Sequence, residues 1–194
     1  MRHHKVALLS CLLLPLLAAL VLRAGVAHAA PAQSCAWRTI PAPNPSGNDQ
    51  VNAIAATSAT DAWIVGSYYT SSNDVQTLIE HWNGSSWSQV ASPNPGGSAK
   101  PSQLSRVVAT SSTNAWAVGG YSNGTADQTL IEHWNGTSWS QVASPSPGGR
   151  GNENFLDDVS AISSTDAWAV GSFFNGTVNQ TLIELMKGTQ PVLG

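Results

Sequence analysis

Two adjacent pairs, Glu80-His81 and Glu132-His133, are the residues of this chain best suited to acid–base chemistry. A carboxylate and an imidazole that reach one substrate can act as general acid and base. Both pairs lie in runs with strand character, and neighbouring side chains on a strand point to opposite faces, so each Glu diverges from its His. A third copy of the run keeps the acid as Glu184 but has Leu185 in place of the imidazole. A structural role is therefore expected. Glu80 shares a face with Leu78 and Trp82, and if buried it needs N–H donors or a nearby cation. Asp61, Asn114 and Asp166 each precede an Ala-Trp pair, where a short polar side chain accepts backbone hydrogen bonds in a turn. Asn152, Glu153, Asn154, Asp157 and Asp158 form the one acidic cluster that does not recur. Oxygen-rich loops of this kind can hold calcium, but no ligand spacing specifies it, and a solvated loop is the expectation. No catalytic, cofactor-binding or metal-ligating residue is expected.

The elements that carry these residues come from a repeat. Three copies align on their Ala-Trp pairs: "TSATDAWIVGSY" around Trp63, "TSSTNAWAVGGY" around Trp116 and "ISSTDAWAVGSF" around Trp168, spaced 53 and 52 residues apart. A Thr-Leu-Ile-Glu block recurs at Thr77, Thr129 and Thr181, and a Trp-x-x-x-Pro/Ala-Ala/Ser-Pro block at Trp37, Trp87 and Trp139. Within a copy, short apolar runs alternate with turn signals. Asn83-Gly84 suits a tight hairpin, and "SPNPGG" cannot continue a central strand. Four strands in about 50 residues is the size of one propeller blade. The predicted fold is all-β, with blades at 51–97, 104–149 and 156–185, the last incomplete, and an isolated outer strand at 37–47.

"AWAVGGY" followed by "TLIEHWNGTSW" resembles the kelch repeat, in which a strand ends in Gly-Gly before an aromatic and a later aromatic pair belongs to the outer strands. The second copy matches best, at Gly119, Gly120, Tyr121, Trp134 and Trp139; the first and third have Ser67 and Ser172 for the second glycine. The resemblance covers nearly all of the chain after residue 29 and implies a β-propeller fold without implying an activity. On physical grounds alone, Trp63, Trp116, Trp168, Trp82, Trp134, Trp87 and Trp139 supply stacking area between blades. Gly66, Gly119 and Gly171 are expected where backbone crowds toward a central axis.

Ring closure follows from chain order: the isolated strand at 37–47 completes a third blade that lacks its own fourth strand, where Pro191 replaces the outer Trp. Three blades fall below the usual range of about four to eight. Two chains forming a six-bladed ring, a remnant of a longer array, and an open arc are the alternatives, with self-association favoured because it pairs exposed edges.

Residues 1–29 read as a secretory signal peptide: a basic start, an apolar run over 6–22 and an Ala-His-Ala cleavage pattern. After its removal five Lys/Arg face eleven Asp/Glu, a formal charge of −6, with no basic cluster, which argues against nucleic acid or an anionic membrane as partner. Cys35 is then the only thiol, expected unpaired. Asn83, Asn123, Asn135 and Asn175 match the glycosylation acceptor pattern, but turn chemistry explains them equally.

A secreted, non-catalytic module binding a protein or glycan is the favoured function, with Tyr68, Tyr69, Tyr121, Phe173 and Phe174 as possible ligand-loop residues, though blade packing accounts for them as well. A remnant without independent function is the alternative. A propeller enzyme is disfavoured, because the arginines do not cluster as a sialidase requires and Cys35 precedes the blades that a copper oxidase would need it in.

Overall fold

Eleven strands and no helix make up residues 36–188, the part of the chain that the computed structural model describes. The chain divides into two units between Arg38 and Thr39, and all of these strands lie in the second. The leader at 1–29, Cys35 and Pro191 lie outside the described residues.

In the first sheet β1 (Asp49–Ser58), β2 (Asp61–Tyr69), β3 (Val75–Trp82) and β4 (Trp87–Gln89) pair antiparallel in chain order. The second repeats this with β5 (Ser102–Ser111), β6 (Asn114–Ser122), β7 (Asp127–Trp134) and β8 (Trp139–Val142). The third has β9 (Asn154–Ala161), β10 (Asp166–Phe174) and β11 (Asn179–Lys187). Each first strand starts two residues earlier than the apolar pattern indicates, because polar Asp49, Ser102 and Asn154 already pair with the second strand.

The expected strand at 37–47 is not formed: residues 36–48 hold no strand, and the third sheet ends at β11. Pro41, Pro43 and Pro45 remove alternate backbone donors there, so the stretch lacks the means to build a ladder.

All four Asn-Gly turns share one geometry. The Asn83 Oδ1 accepts from the backbone N–H of Ser85 and Ser86 at 3.0 and 3.1 Å, and Asn123, Asn135 and Asn175 do the same two and three residues on. The glycine that follows takes φ of 92 to 96°, which a side chain would resist. Turn closure thus gives the Oδ1 of each of these asparagines a structural role.

The sheets stack face to face. Trp63, Val65 and Ile79 on one face of the first sheet form a single core with Leu104, Val107, Ala115, Ala117 and Leu130 of the second. Trp116 and Val118 form the next core with Leu156, Val159, Ala167, Ala169 and Leu182 of the third. In both stacks the first strand of the later sheet is the seated element, β5 across β1 to β3 and β9 across β5 to β7. Each fully buried aliphatic side chain contributes about 1.5–3 kcal/mol.

Gly66, Gly119 and Gly171 are crowded, but by a neighbouring strand rather than at an axis. The first strand of every sheet carries a bulge: register slips between Val51 and Ala53, between Leu104 and Arg106, and between Leu156 and Asp158. The bulged backbone pushes a carbonyl at the glycine opposite. A Cβ on Gly66, Gly119 or Gly171 would lie 1.8, 2.1 or 2.0 Å from the carbonyl oxygen of Gln50, Gln103 or Phe155. Gly120 has a separate reason, since its Cβ would fall 2.5 Å from the Phe155 ring. In the sheet before, Gln103 stands in register with Phe155, and Ser67 fits.

Replacing Gly119 by Ala should lower stability by about 2–4 kcal/mol, because the clash is with backbone that must move. Gly151→Ala, where a Cβ meets nothing within 4 Å, is the control that should leave it unchanged. Urea denaturation of the two variants measures the difference.

Candidate functional site

Strand alternation separates the two halves of each Glu-His pair. His81 pairs across the ladder with Trp63, and their rings lie 4.2 Å apart; His133 and Trp116 are stacked at 4.1 Å. The imidazoles are held from the strand beside them: His81 Nε2 is 2.7 Å from Asp61 Oδ1, and His133 Nε2 is 2.6 Å from Asn114 Oδ1. Asp61 also accepts from the Thr57 hydroxyl, and Asn114 Nδ2 contacts the Thr110 hydroxyl. Asp61 and Asn114 thus orient an imidazole rather than accepting from turn backbone as expected for them and Asp166; the turns are braced by Ser58, Ser111 and Ser163, whose hydroxyl oxygens accept from the N–H of Thr60, Thr113 and Thr165. Burial lowers the His133 pKa, so that ring stays neutral at pH 7. In the third sheet Leu185 faces Trp168, and this indole is half exposed.

The carboxylates face the preceding sheet. Glu132 is fully buried, and the Ser92 hydroxyl, in the segment joining the first sheet to the second, donates to its Oε2 at 2.8 Å. Ser144 donates to Glu184 at 2.8 Å in the same manner. The Ser92 oxygen is also 2.8 Å from the Thr77 hydroxyl, and Thr77 holds the proline loop through Pro93 and Asn94. A polar bolt thus runs from β3 through the loop into β7. Ala42 occupies the repeat position of Ser92 and Ser144, and the buried Glu80 oxygens have no hydrogen-bond partner.

Burial pushes the Glu132 pKa up to about 8, with the Ser92 hydroxyl pulling the other way. Burial also raises Glu80, reinforced by Asp49, and raises Glu184 against the Ser144 bond. None of the three meets a histidine in a common opening, and the pairs form no acid–base couple.

The acidic cluster is dispersed. Asn154 is buried and braces the loop before β9, accepting from Gly148 N at 2.8 Å and donating to Asn152 O at 2.6 Å. Glu153 accepts from the backbone of Asp127, Asp158 faces Arg106 at 3.1 Å, and Asp157 is exposed on the β9 bulge. Among the described residues no group of three His, Cys, Asp or Glu converges as metal ligands.

The aromatic loop residues do not share one site. Tyr121 and Phe173 pack against the two cores, so they serve contact between sheets. Tyr68 and Tyr69 line an open cleft of about 610 Å³ with Ser46, Asn48 and Asn73. A second polar cleft of about 390 Å³ lies between Tyr121, Asn123, Gln128, Lys100 and Arg150. Lys100 Nζ donates to Asn123 O at 2.7 Å, and Asn123 Nδ2 donates to Arg150 O at 2.9 Å, which ties the three loops together. Neither cation belongs to the repeat. Sequence pattern pointed to Tyr121 alone, because Lys100 and Arg150 come from loops separated by 50 residues.

No protein-family model matches the sequence, and no curated protein is significantly similar to it. Among the described residues no helix is long and apolar enough to cross a membrane.

With its pKa raised, Glu132 keeps in the folded state a proton that the unfolded chain releases above about pH 4.5. Stability should therefore fall as pH rises from about 4.5 to about 8 and flatten beyond. Glu132→Gln removes this contribution. Its stability relative to the unsubstituted protein should improve by about 1 kcal/mol or more between pH 5 and pH 8. Urea titrations at both pH values test this, and a difference independent of pH would refute it.

Proposed function

We propose that the chain is a secreted, non-catalytic binding module made of kelch-like propeller blades, and that it holds an anionic glycan in the cleft between Tyr121, Lys100 and Arg150. The observation that carries this reading is the gathering of two cations in one cleft. Repeated polar groups are committed to the fold: His81 and His133 to their indoles, Glu132 and Glu184 to serines, and the Asn-Gly asparagines to their turns. The cleft instead gathers two of the five cations found after residue 29, in a stretch of net negative charge, beside a half-buried phenol and side-chain amides. Cations beside an aromatic edge suit a ligand that carries a carboxylate or sulfate on a sugar ring.

Binding to an array of neutral and acidic glycans is the direct test. Acidic sugars should be retained, retention should weaken as salt is raised, and Lys100→Ala with Arg150→Ala should reduce affinity at least about tenfold, the scale of one or two charge-assisted bonds. Both side chains are at the surface, so the fold should persist. Retention of neutral sugars alone, or binding unaffected by the double substitution, would overturn the assignment.

A further inference from the structure

We infer that a second copy of this chain seats its β1 across the third sheet of the first copy, and receives the first copy's β1 on its own third sheet, closing a ring of two chains and six sheets. The inference is independent of the glycan reading.

The template is inside the chain. A forward face bearing the second-strand indole is covered by the first strand of the next sheet, once by β5 and once by β9. The third sheet presents the same forward face without its cover. Trp63 and Trp116 are 1% and 2% exposed, whereas Trp168 is 48% exposed, with Val170 at 40%, Ile183 at 61% and Leu185 at 48%. The complementary element is also free. Val51 and Ile54 of β1 stand in register with Leu104 and Val107 of β5 and with Leu156 and Val159 of β9. Those four are at most 8% exposed, but Val51 is 54% and Ile54 is 64% exposed. One chain therefore carries both halves of a contact that it already makes twice.

A second feature gives the same direction. Around Trp63 the second sheet supplies Trp134 and Trp139, at ring distances of 4.8 and 5.3 Å. Around Trp116, Met186 holds the place of Trp134, and no described residue holds that of Trp139. An apolar cleft of about 650 Å³ opens there, lined by Trp116, Ile131, Val142, Leu182 and Met186. In the one stack that has such a Trp, its strand β8 runs directly into β9, the seated first strand of the following sheet, and β4 with Trp87 runs into β5 in the same way. The segment that runs into β1 starts with Trp37, in repeat register with Trp139, and its indole is fully exposed. A partner copy that seats β1 on the third sheet brings its Trp37 toward this cleft. Six sheets fall within the usual range of about four to eight blades, and a head-to-tail contact that closes leaves no sticky face.

The test is mass in solution. Light scattering of the purified protein should give two chains per particle. Ile54→Glu and Ile183→Lys each place a charge on an exposed position, so the circular dichroism spectrum should not change, but each should weaken self-association at least about 100-fold. Mixing the two variants should restore a dimer, since one interface then pairs Glu with Lys and the other is unsubstituted. A monomeric parent protein, or a polymer, overturns the inference. A dimer insensitive to Ile54→Glu overturns it too, because that outcome marks a contact between two third sheets. Trp37→Ala should weaken the dimer at least about tenfold, and an unchanged dimer would refute the Trp37 assignment.

Discussion

An indole on the second strand of each sheet has to be covered by something, and most of the architecture is the means of covering it. A lone sheet of three or four strands has two apolar faces and cannot hide both. Trp63 shows the full solution: its own sheet offers the His81 ring, and the next sheet brings Trp134 and Trp139 against it. Trp116 is covered by His133 and by the third sheet, with a gap where two indoles would sit. Trp168 has Leu185 across the ladder and remains half exposed. Along the chain, the quality of this cover falls stepwise from one sheet to the next.

Polar groups then decide how the sheets are aligned. Apolar stacking is non-directional, whereas the Ser92–Glu132 and Ser144–Glu184 bonds each fix a loop of one sheet against the third strand of the next. The raised Glu132 pKa is the cost of putting that alignment in a dry place. The first bulge acts in the same way. Asn52, at the first bulge, donates to Leu104 O at 2.8 Å in the second sheet, so the irregular residue becomes a tie between sheets.

Much of this was legible in the sequence because the repeat writes each part more than once. Strand positions, the Asn-Gly turns and the divergence of Glu from His follow from local pattern and strand period. What was hidden lies between residues far apart in the chain. The oxygen that crowds Gly119 belongs to Gln103, the donor to Glu132 is Ser92, and the ring that demands Gly120 is Phe155, none of which the local pattern around the affected residue specifies. The stretch at 37–47 misled because it keeps the spacing of an outer strand, while its prolines remove the donors such a strand would use. The clefts were hidden for a related reason: they are made by loops, which carry no period.

Near-identity of the copies conceals their rank order. Thr77–Gly97 and Thr129–Gly149 differ only at 85 and 94 against 137 and 146. Both differences preserve the bond: Ser85 and Thr137 each donate to their turn asparagine at 2.7 Å, and Asn94 Oδ1 and Ser146 Oγ each accept from a threonine N–H. A gene with such internal duplicates is prone to gain or lose a unit by unequal recombination. The Phe155 ring, which a Cβ at 120 would meet at 2.5 Å, marks the junction of the second and third units as unlike the one before it, where Gln103 and Ser67 stand at these positions. Shuffled progeny that set Phe155 against a serine would have to move that ring, so one phenylalanine biases the order of the array.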